Sequence, residues 1–251
     1  MKQLLVIGIG AGNPDYMTMQ AVKALNRVDV FFLMDKGQSK DKLIDLRREI
    51  CERYIDDPDY RFVEAHSPER ERGDVDYTAS VDELNRAKQQ TFERLINDQL
   101  SDGQCGGFLV WGDPALYDST VRILQAILAS GTCAFEFEVI PGITSVQALA
   151  AQHKVPLNTI GRSIEITTGR RLAAGQVSDA DSLVVMLDAE DSYQRVADQQ
   201  TEIYWGAYLG TPDEILISGR LADVAEEIER VRKAARAEHG WIMDTYLLRK
   251  P

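Results

Sequence analysis

The sequence predicts an α/β protein of two domains. The first is built on a mostly parallel sheet and the second on a mixed sheet, each flanked by helices. Three observations carry this. In the first half, short apolar runs alternate with segments of helical period, the pattern of parallel strands joined by right-handed crossovers. In the second half, two apolar runs are joined by Gly210-Thr211-Pro212-Asp213, a hairpin signal that makes the sheet mixed. Between them, residues 106–111 form an apolar run that ends in Gly112-Asp113-Pro114, at the carboxyl end of a strand, where open α/β sheets bind ligands. The predicted domains are residues 1–115 and 116–251.

The elements follow in order. Residues 4–7 are the first strand, and residues 8–14 are a glycine loop. Met17, Ala21, Leu25 and Val28 recur at helical spacing, with Asp15 or Thr18 as N-cap. Residues 30–34 are a second buried strand, ending at Asp35-Lys36-Gly37, and Leu43, Leu46 and Ile50 mark the next helix. Residues 61–64 are a short third strand. Residues 67–77, charged and carrying Pro68 and Gly73, read as an exposed loop. Val81, Leu84, Phe92, Leu95 and Ile96 mark a long amphipathic helix, which leads through Ser101-Asp102-Gly103 into the strand at 106–111.

In the second half, Val121, Leu124 and Leu128 mark a helix. Phe135, Phe137 and Val139 alternate with Glu136 and Glu138 as a half-exposed strand. Pro141-Gly142 turns the chain into a helix over 143–153. Residues 163–168 and 182–187 are strands, residues 202–209 and 214–218 are the hairpin, Leu221, Val224, Ile228 and Val231 mark a late helix, and residues 241–248 are a closing strand.

The 251 residues, 44% apolar and 27% charged, have a globular composition. No apolar run approaches the roughly 20 residues of a membrane span. The apolar start at residues 1–8 leads straight into the glycine loop, so it reads as a strand and not as a signal peptide. Cys51, Cys105 and Cys133 are far apart, which suits reduced thiols in a cytoplasm and a role as core filler. A formal charge of −12 disfavours nucleic acid as a partner. An acidic ligand would need a local cluster of arginines against that field.

Several motifs stand at strand ends. Gly8-x-Gly10-x-Gly12, with Asp35 at the end of the second strand, suggests a nicotinamide-dependent oxidoreductase. However, Asn13 and Pro14 stand where the third glycine and the helix start would be needed. Gly112 admits close backbone approach, and Asp113 puts a carboxylate beside it. Thr144 or Ser145 either caps the helix that follows Pro141-Gly142 or reaches a ligand's charged groups. Arg162, Arg170 and Arg171 surround one strand and are suited to gripping carboxylates. His66, His153 and His239 are isolated and no H-E-x-x-H is present, so no metal site is expected. No G-x-S-x-G elbow is present either.

Taken together, the loop at 8–14 with Asp15-Tyr16-Met17-Thr18, the stretch Trp111-Gly112-Asp113-Pro114, the stretch Pro141-Gly142-Ile143-Thr144-Ser145, and the turn at 209–212 before Ile215-Leu216-Ile217-Ser218-Gly219 resemble the tetrapyrrole (class III) methyltransferases. Order and spacing match over nearly the whole chain. The resemblance implies the tetrapyrrole-methylase fold, S-adenosylmethionine as cofactor in a cleft between two α/β domains, and a homodimer. It implies cofactor contacts at Ala11, Trp111, Gly112, Asp113, Leu116, Thr144 and Ser145, then at Met186 or Leu187, and finally at Leu209 or Gly210. Many relatives carry proline where this chain has Ala11. Residues 111–120 and 161–171 are similar to the corrin-pathway branch that methylates precorrin-5 at C1 and releases acetate. That reaction needs a general base, for which Asp35, His66 and Tyr117 are the candidates. Arg162, Arg170 and Arg171 are then expected on the substrate's carboxylates. A sister methyltransferase acting at another ring carbon is the nearest alternative.

Overall fold

In this computed structural model, which describes residues 1–35, 41–68, 77–196, 198 and 200–250, the chain divides into two compact units. One comprises Met1–Gly10 and Pro14–Ile143, the other Ala11–Asn13 and Thr144–Pro251.

The first unit contains β1 (Lys2–Gly8), α1 (Met19–Leu25), β2 (Val30–Asp35), α2 (Asp41–Tyr54), β3 (Arg61–His66), α3 (Tyr77–Gln99), β4 (Cys105–Val110), α4 (Thr120–Ser130) and β5 (Phe135–Ile140). Its five strands run in the order β3-β2-β4-β1-β5, and every pairing is parallel. Alternation along the strands sends Leu4, Val6, Phe32, Phe108 and Val110 to one face, under Phe92 and Ile96 of α3 and Ile123 and Leu124 of α4. Leu5, Ile7, Phe31 and Leu109 line the other face, under Ala21 and Leu25 of α1 and Ile50 of α2. Both faces are covered, so the strands read as continuous apolar runs. Of the two N-cap candidates for α1, Thr18 is the cap: its hydroxyl accepts from the Ala21 amide at 3.0 Å.

The second unit contains α5 (Ser145–His153), β6 (Ile164–Thr168), α6 (Gly169–Ala173), β7 (Ser182–Met186), β8 (Glu202–Ala207), β9 (Ile215–Arg220), α7 (Leu221–His239) and β10 (Asp244–Arg249). The strand order is β6-β7-β10-β8-β9. Only β6 and β7 pair in parallel, so the sheet is mixed, with β8 and β9 as the predicted hairpin. Val185, Ile203, Trp205 and Tyr246 pack with Leu221 and Ile228 of α7 in its core. The short helix α6 follows β6 directly.

The boundary differs from the one expected at 115/116. It falls between Ile143 and Thr144, because β5 pairs in parallel with β1 and completes the first sheet. The glutamates of β5 made it look like a half-exposed strand of the next domain. They are tolerated because β5 is an edge strand: Phe135 is buried, whereas Glu136 and Glu138 are exposed. Lys36, Gly37 and residues 69–76 of the predicted loop lie outside the described residues. No helix among the described residues is long and apolar enough to cross a membrane.

Candidate active site

The parallel sheet brings three turns together at the carboxyl ends of β1, β4 and β5. Each turn carries a glycine, and the backbones touch. A Cβ on Gly142 would lie 2.1 Å from the Gly112 carbonyl oxygen and 2.8 Å from Gly8 Cα, closer than any side chain permits. Gly10 and Gly112 exchange backbone hydrogen bonds, the Gly112 amide donating to the Gly10 carbonyl at 2.8 Å. The Asp113 carboxylate ties its own turn to that after β5: Oδ2 accepts from the Gly142 amide at 2.8 Å and Oδ1 from the Ala115 amide at 2.7 Å. Asp113 thus has a positioning role that its place in the sequence did not reveal. Trp111 packs into the α1–α2 side of the core, Leu116 is half-buried, and Tyr117 follows with φ 53° and 45% exposure.

In the second unit, several expected cofactor positions converge on Thr245 of β10. Its hydroxyl donates to Ser145 Oγ at 3.0 Å. Its register partners are Met186 on β7 and Gly206 on β8. A Cβ on Gly206 would lie 2.6 Å from Leu209 Cδ2 and 2.9 Å from Leu149 of α5. Gly12 closes on the same turn, its Cβ position being 2.4 Å from the Leu209 carbonyl oxygen, and Ala11 before it is buried. Thr144 is the N-cap of α5. Its Oγ1 accepts from the Val146 amide at 3.1 Å, and Gln147 completes a capping box by accepting from the Thr144 amide at 3.1 Å. The Thr144 hydroxyl donates to Gln147 Oε1, whereas Ser145 Oγ accepts from Thr245, so Ser145 is the one of the two with a proton to donate to a ligand.

Backbone strain marks the same turns. Tyr117, Leu187 and Tyr208 adopt φ of 53°, 53° and 50°, a left-handed conformation that costs a non-glycine residue about 1–2 kcal/mol and that clusters at functional sites. Leu187 is 64% exposed. Gly210 is fixed by its amide, which donates to Glu214 Oε2 at 2.7 Å.

Among the candidate bases, Asp35 and His66 are register partners at the carboxyl ends of β2 and β3. His66 is exposed, and the Asp35 side chain lies outside what is described. The arginines do not form one group. Arg162 precedes β6 and pairs with Asp181 at 3.3 Å, while Arg170 and Arg171 follow β6 on α6, with about 16 Å of strand between. Arg171 Nη2 donates to the Gln176 carbonyl at 3.0 Å. The three cysteines are free and buried. Burial pushes the Cys51 thiol up to about 12 and the Cys105 thiol up to about 11, so neither offers a thiolate nucleophile at neutral pH. Among the described residues, no group of three or more His, Cys, Asp or Glu is placed to hold a metal ion.

Within the second unit, the Ser145 hydroxyl bonds to Thr245, whose register partner on β7 is Met186, and Leu187 follows Met186 in the chain. Glycine turns at parallel strand ends in one unit and a capped helix start beside a mixed sheet in the other are the features of a two-sheet α/β protein. The chain belongs to the tetrapyrrole (corrin/porphyrin) methylases, whose family profile matches residues 3–225. It is 52% identical over 250 residues, covering 100% of this chain and 96% of the relative, to a precorrin-6A synthase [deacetylating] of Sinorhizobium sp. It superposes with TM-score 0.85 and 35% identity on a cobalamin synthesis related protein (CobF) from Corynebacterium diphtheriae, covering 99% of this chain and 98% of the other. The fold is shared with uroporphyrin-III C-methyl transferase from Thermus thermophilus complexed with S-adenyl homocysteine, at TM-score 0.59 and 17% identity over 99% of this chain and 97% of that one.

Proposed function

We propose that this chain is an S-adenosylmethionine-dependent C-methyltransferase of cobalamin biosynthesis that acts on precorrin-5, methylating C1 and releasing acetate to give precorrin-6A. The observation that carries the reading is the full-length identity of 52% to a deacetylating precorrin-6A synthase. The ordered glycine turns of the family support it. S-adenosylmethionine, when bound, supplies a methyl group already activated for transfer. What remains for the protein is to position the ring carbon and to release the acetyl group. On the substrate, water adds to the acetyl carbonyl, acetic acid leaves, and the ring carbon keeps the electron pair. A base within hydrogen-bond reach of that water takes its proton, and Asp35, His66 and Tyr117 are its candidates. Gly112, Asp113 and Ser145, with Met186, Leu187, Leu209 and Gly210, are the proposed cofactor contacts. Ala11, Trp111, Leu116 and Thr144 support them. We further propose a cytoplasmic homodimer, in keeping with three reduced, buried cysteines.

The direct test is incubation with methyl-labelled S-adenosylmethionine and precorrin-5. One labelled methyl and one acetate should appear per turnover. Methyl transfer without acetate would point to a sister reaction at another carbon. Titration with S-adenosylhomocysteine and with NADH separates this reading from an oxidoreductase: only the first should bind.

A second prediction concerns the exposed arginines of α6. Replacing Arg170 and Arg171 together with alanine should raise KM for the tetrapyrrole about tenfold or more, the scale of one or two lost charge-assisted hydrogen bonds. Affinity for S-adenosylhomocysteine should hold. An unchanged KM would remove these arginines from substrate binding.

A further inference from the structure

Thr245 lies on β10, the central strand of the mixed sheet. It is 3% exposed, so it sits beneath the surface that a ligand would meet. A β-branched side chain has little freedom at χ1, and on a central strand its Oγ1 is a fixed point.

The helix α5 is seated on β10 and β8 by two side chains one turn apart. Ser145 and Leu149 stand at i and i+4, so they share a face of the helix. Leu149 takes the space that Gly206 leaves open: a Cβ on Gly206 would lie 2.9 Å from Leu149 Cδ1. Gly206 is the register partner of Thr245. Ser145, one turn before Leu149, meets Thr245 itself, with 3.0 Å between the two hydroxyl oxygens. The glycine thus sets how closely the helix approaches the sheet, and the threonine meets its first residue.

Burial decides the direction of the bond between the hydroxyls. Among the described residues, Ser145 Oγ is the one partner of the Thr245 hydroxyl, and a buried donor needs an acceptor. The Thr245 proton therefore goes to Ser145. A serine hydroxyl has one proton and two lone pairs. With a lone pair held by Thr245, the Ser145 proton points elsewhere. Ser145 is half-buried, and its side chain has no second partner among the described residues. Thr144 has given its own proton to Gln147 Oε1. The start of α5 therefore carries one uncommitted hydroxyl proton, aimed by a residue on the far side of the sequence.

We propose that Thr245 is a positioning residue for the cofactor. By donating to Ser145 Oγ it turns the Ser145 proton toward the ligand, so that an acceptor atom of the ligand meets a donor already in place. Without the Thr245 hydroxyl, the Ser145 O–H is free to rotate and must be ordered at each binding event, which costs affinity. That the ligand is S-adenosylmethionine rests on the function proposed above; the direction of the bond does not.

The test uses the full chain, with S-adenosylhomocysteine as the probe in calorimetry. Thr245→Val removes the hydroxyl and keeps the β-branched shape that suits a strand. Its affinity should fall about threefold to tenfold, the scale of one hydrogen bond. KM for S-adenosylmethionine should rise in step, while KM for precorrin-5 holds. Thr245→Ser keeps the hydroxyl and should stay within about twofold of the parent. Thr245→Ala compared with Thr245→Ser is a second measure of the same hydroxyl, independent of how valine packs. The deciding comparison is made in a Ser145→Ala background. There, Thr245→Val should cost no further affinity, because Thr245 acts through Ser145. A threonine that only packs would lower the urea midpoint and leave the affinity of the folded protein unchanged. Parent-like affinity in Thr245→Val, or an equal loss with and without the Ser145 hydroxyl, would overturn the role. If the parent binds S-adenosylhomocysteine in a Thr245-dependent way yet does not consume precorrin-5, the proposed reaction falls and the role of Thr245 stands.

Discussion

Gly142→Ala is expected to destabilise the first unit by at least the upper end of the roughly 1–3 kcal/mol seen when extra methyl groups are forced into packed sites. Its catalytic rate should fall on the order of a hundredfold, the scale of an ångström-sized misplacement of reacting groups. The added Cβ would sit 2.1 Å from the Gly112 carbonyl oxygen and 2.8 Å from Gly8 C and Cα. Those neighbours are backbone, so no side chain can rotate aside, and the turns themselves would have to part. They belong to β1 and β4, adjacent strands in the middle of the sheet. Parting them also breaks the bond from the Gly142 amide to Asp113 Oδ2, a charge-assisted bond worth about 1.5–3 kcal/mol. Urea unfolding reads the first effect, and S-adenosylhomocysteine calorimetry with single-turnover methyl transfer reads the second. Gly131→Ala is the control. Gly131 ends α4 at φ 70° with nothing within 4 Å of its Cβ position, so that change should cost only the roughly 1–2 kcal/mol of left-handed backbone and spare the affinity. A Gly142→Ala protein with the parent's unfolding midpoint and affinity would mean that the three turns are not held against one another.

The glycines of those turns are legible in the sequence because each ends a run of apolar residues. Buried parallel strands must be apolar on both faces, so the alternation of runs and periodic helices gave the first unit almost directly. The domain boundary was not legible. Phe135, Phe137 and Val139 alternate with glutamates, as in a sheet with one wet face, and nothing local distinguishes that from the edge strand of a parallel sheet. The centre of the second unit was hidden for a different reason. Thr245 is 100 residues from Ser145, the hydroxyl it meets, and a threonine inside a strand carries no signal of such a partner. Thr144 and Ser145 were legible as a pair. Which hydroxyl is committed to the helix and which is open to a ligand depends on Gln147 and Thr245, so it required the fold.

Arg232→Ala is expected to cost about 3–5 kcal/mol, the range for removing one partner of a buried ion pair, and to weaken S-adenosylhomocysteine binding as well. Arg232 is 5% exposed and Asp244 is 8% exposed. The guanidinium donates from Nε to Asp244 Oδ2 at 2.9 Å, faces Asp191 Oδ1 at 3.1 Å through Nη1, and donates to the Asp188 carbonyl. The Trp205 indole N–H reaches the same Asp244 oxygen at 3.1 Å. Burial pushes the Asp244 carboxyl above its ordinary range, and Arg232 is the main pull against that. Without the arginine, a buried carboxylate keeps one neutral donor, and the Asp188 carbonyl loses its cation. Asp188 is the link to function. Its carboxylate accepts from the Ser192 amide at 2.7 Å, the Ser192 hydroxyl at 2.8 Å and the Tyr246 hydroxyl at 2.7 Å. This fixes the turn after β7 in which Leu187 holds its left-handed backbone, a conformation that persists only where the surroundings enforce it. Releasing the turn should let Leu187 relax and lower affinity even under conditions where the protein stays folded. Arg232→Lys should not restore either property, because a single ammonium cannot meet Asp244, Asp191 and the Asp188 carbonyl in one plane. Urea unfolding of Arg232→Ala, Asp244→Asn and the double variant gives the coupling, expected within about 0.5–3 kcal/mol for residues in direct contact. Additive losses, or an Arg232→Ala protein with the parent's stability, would show that water, and not the arginine, neutralises these carboxylates.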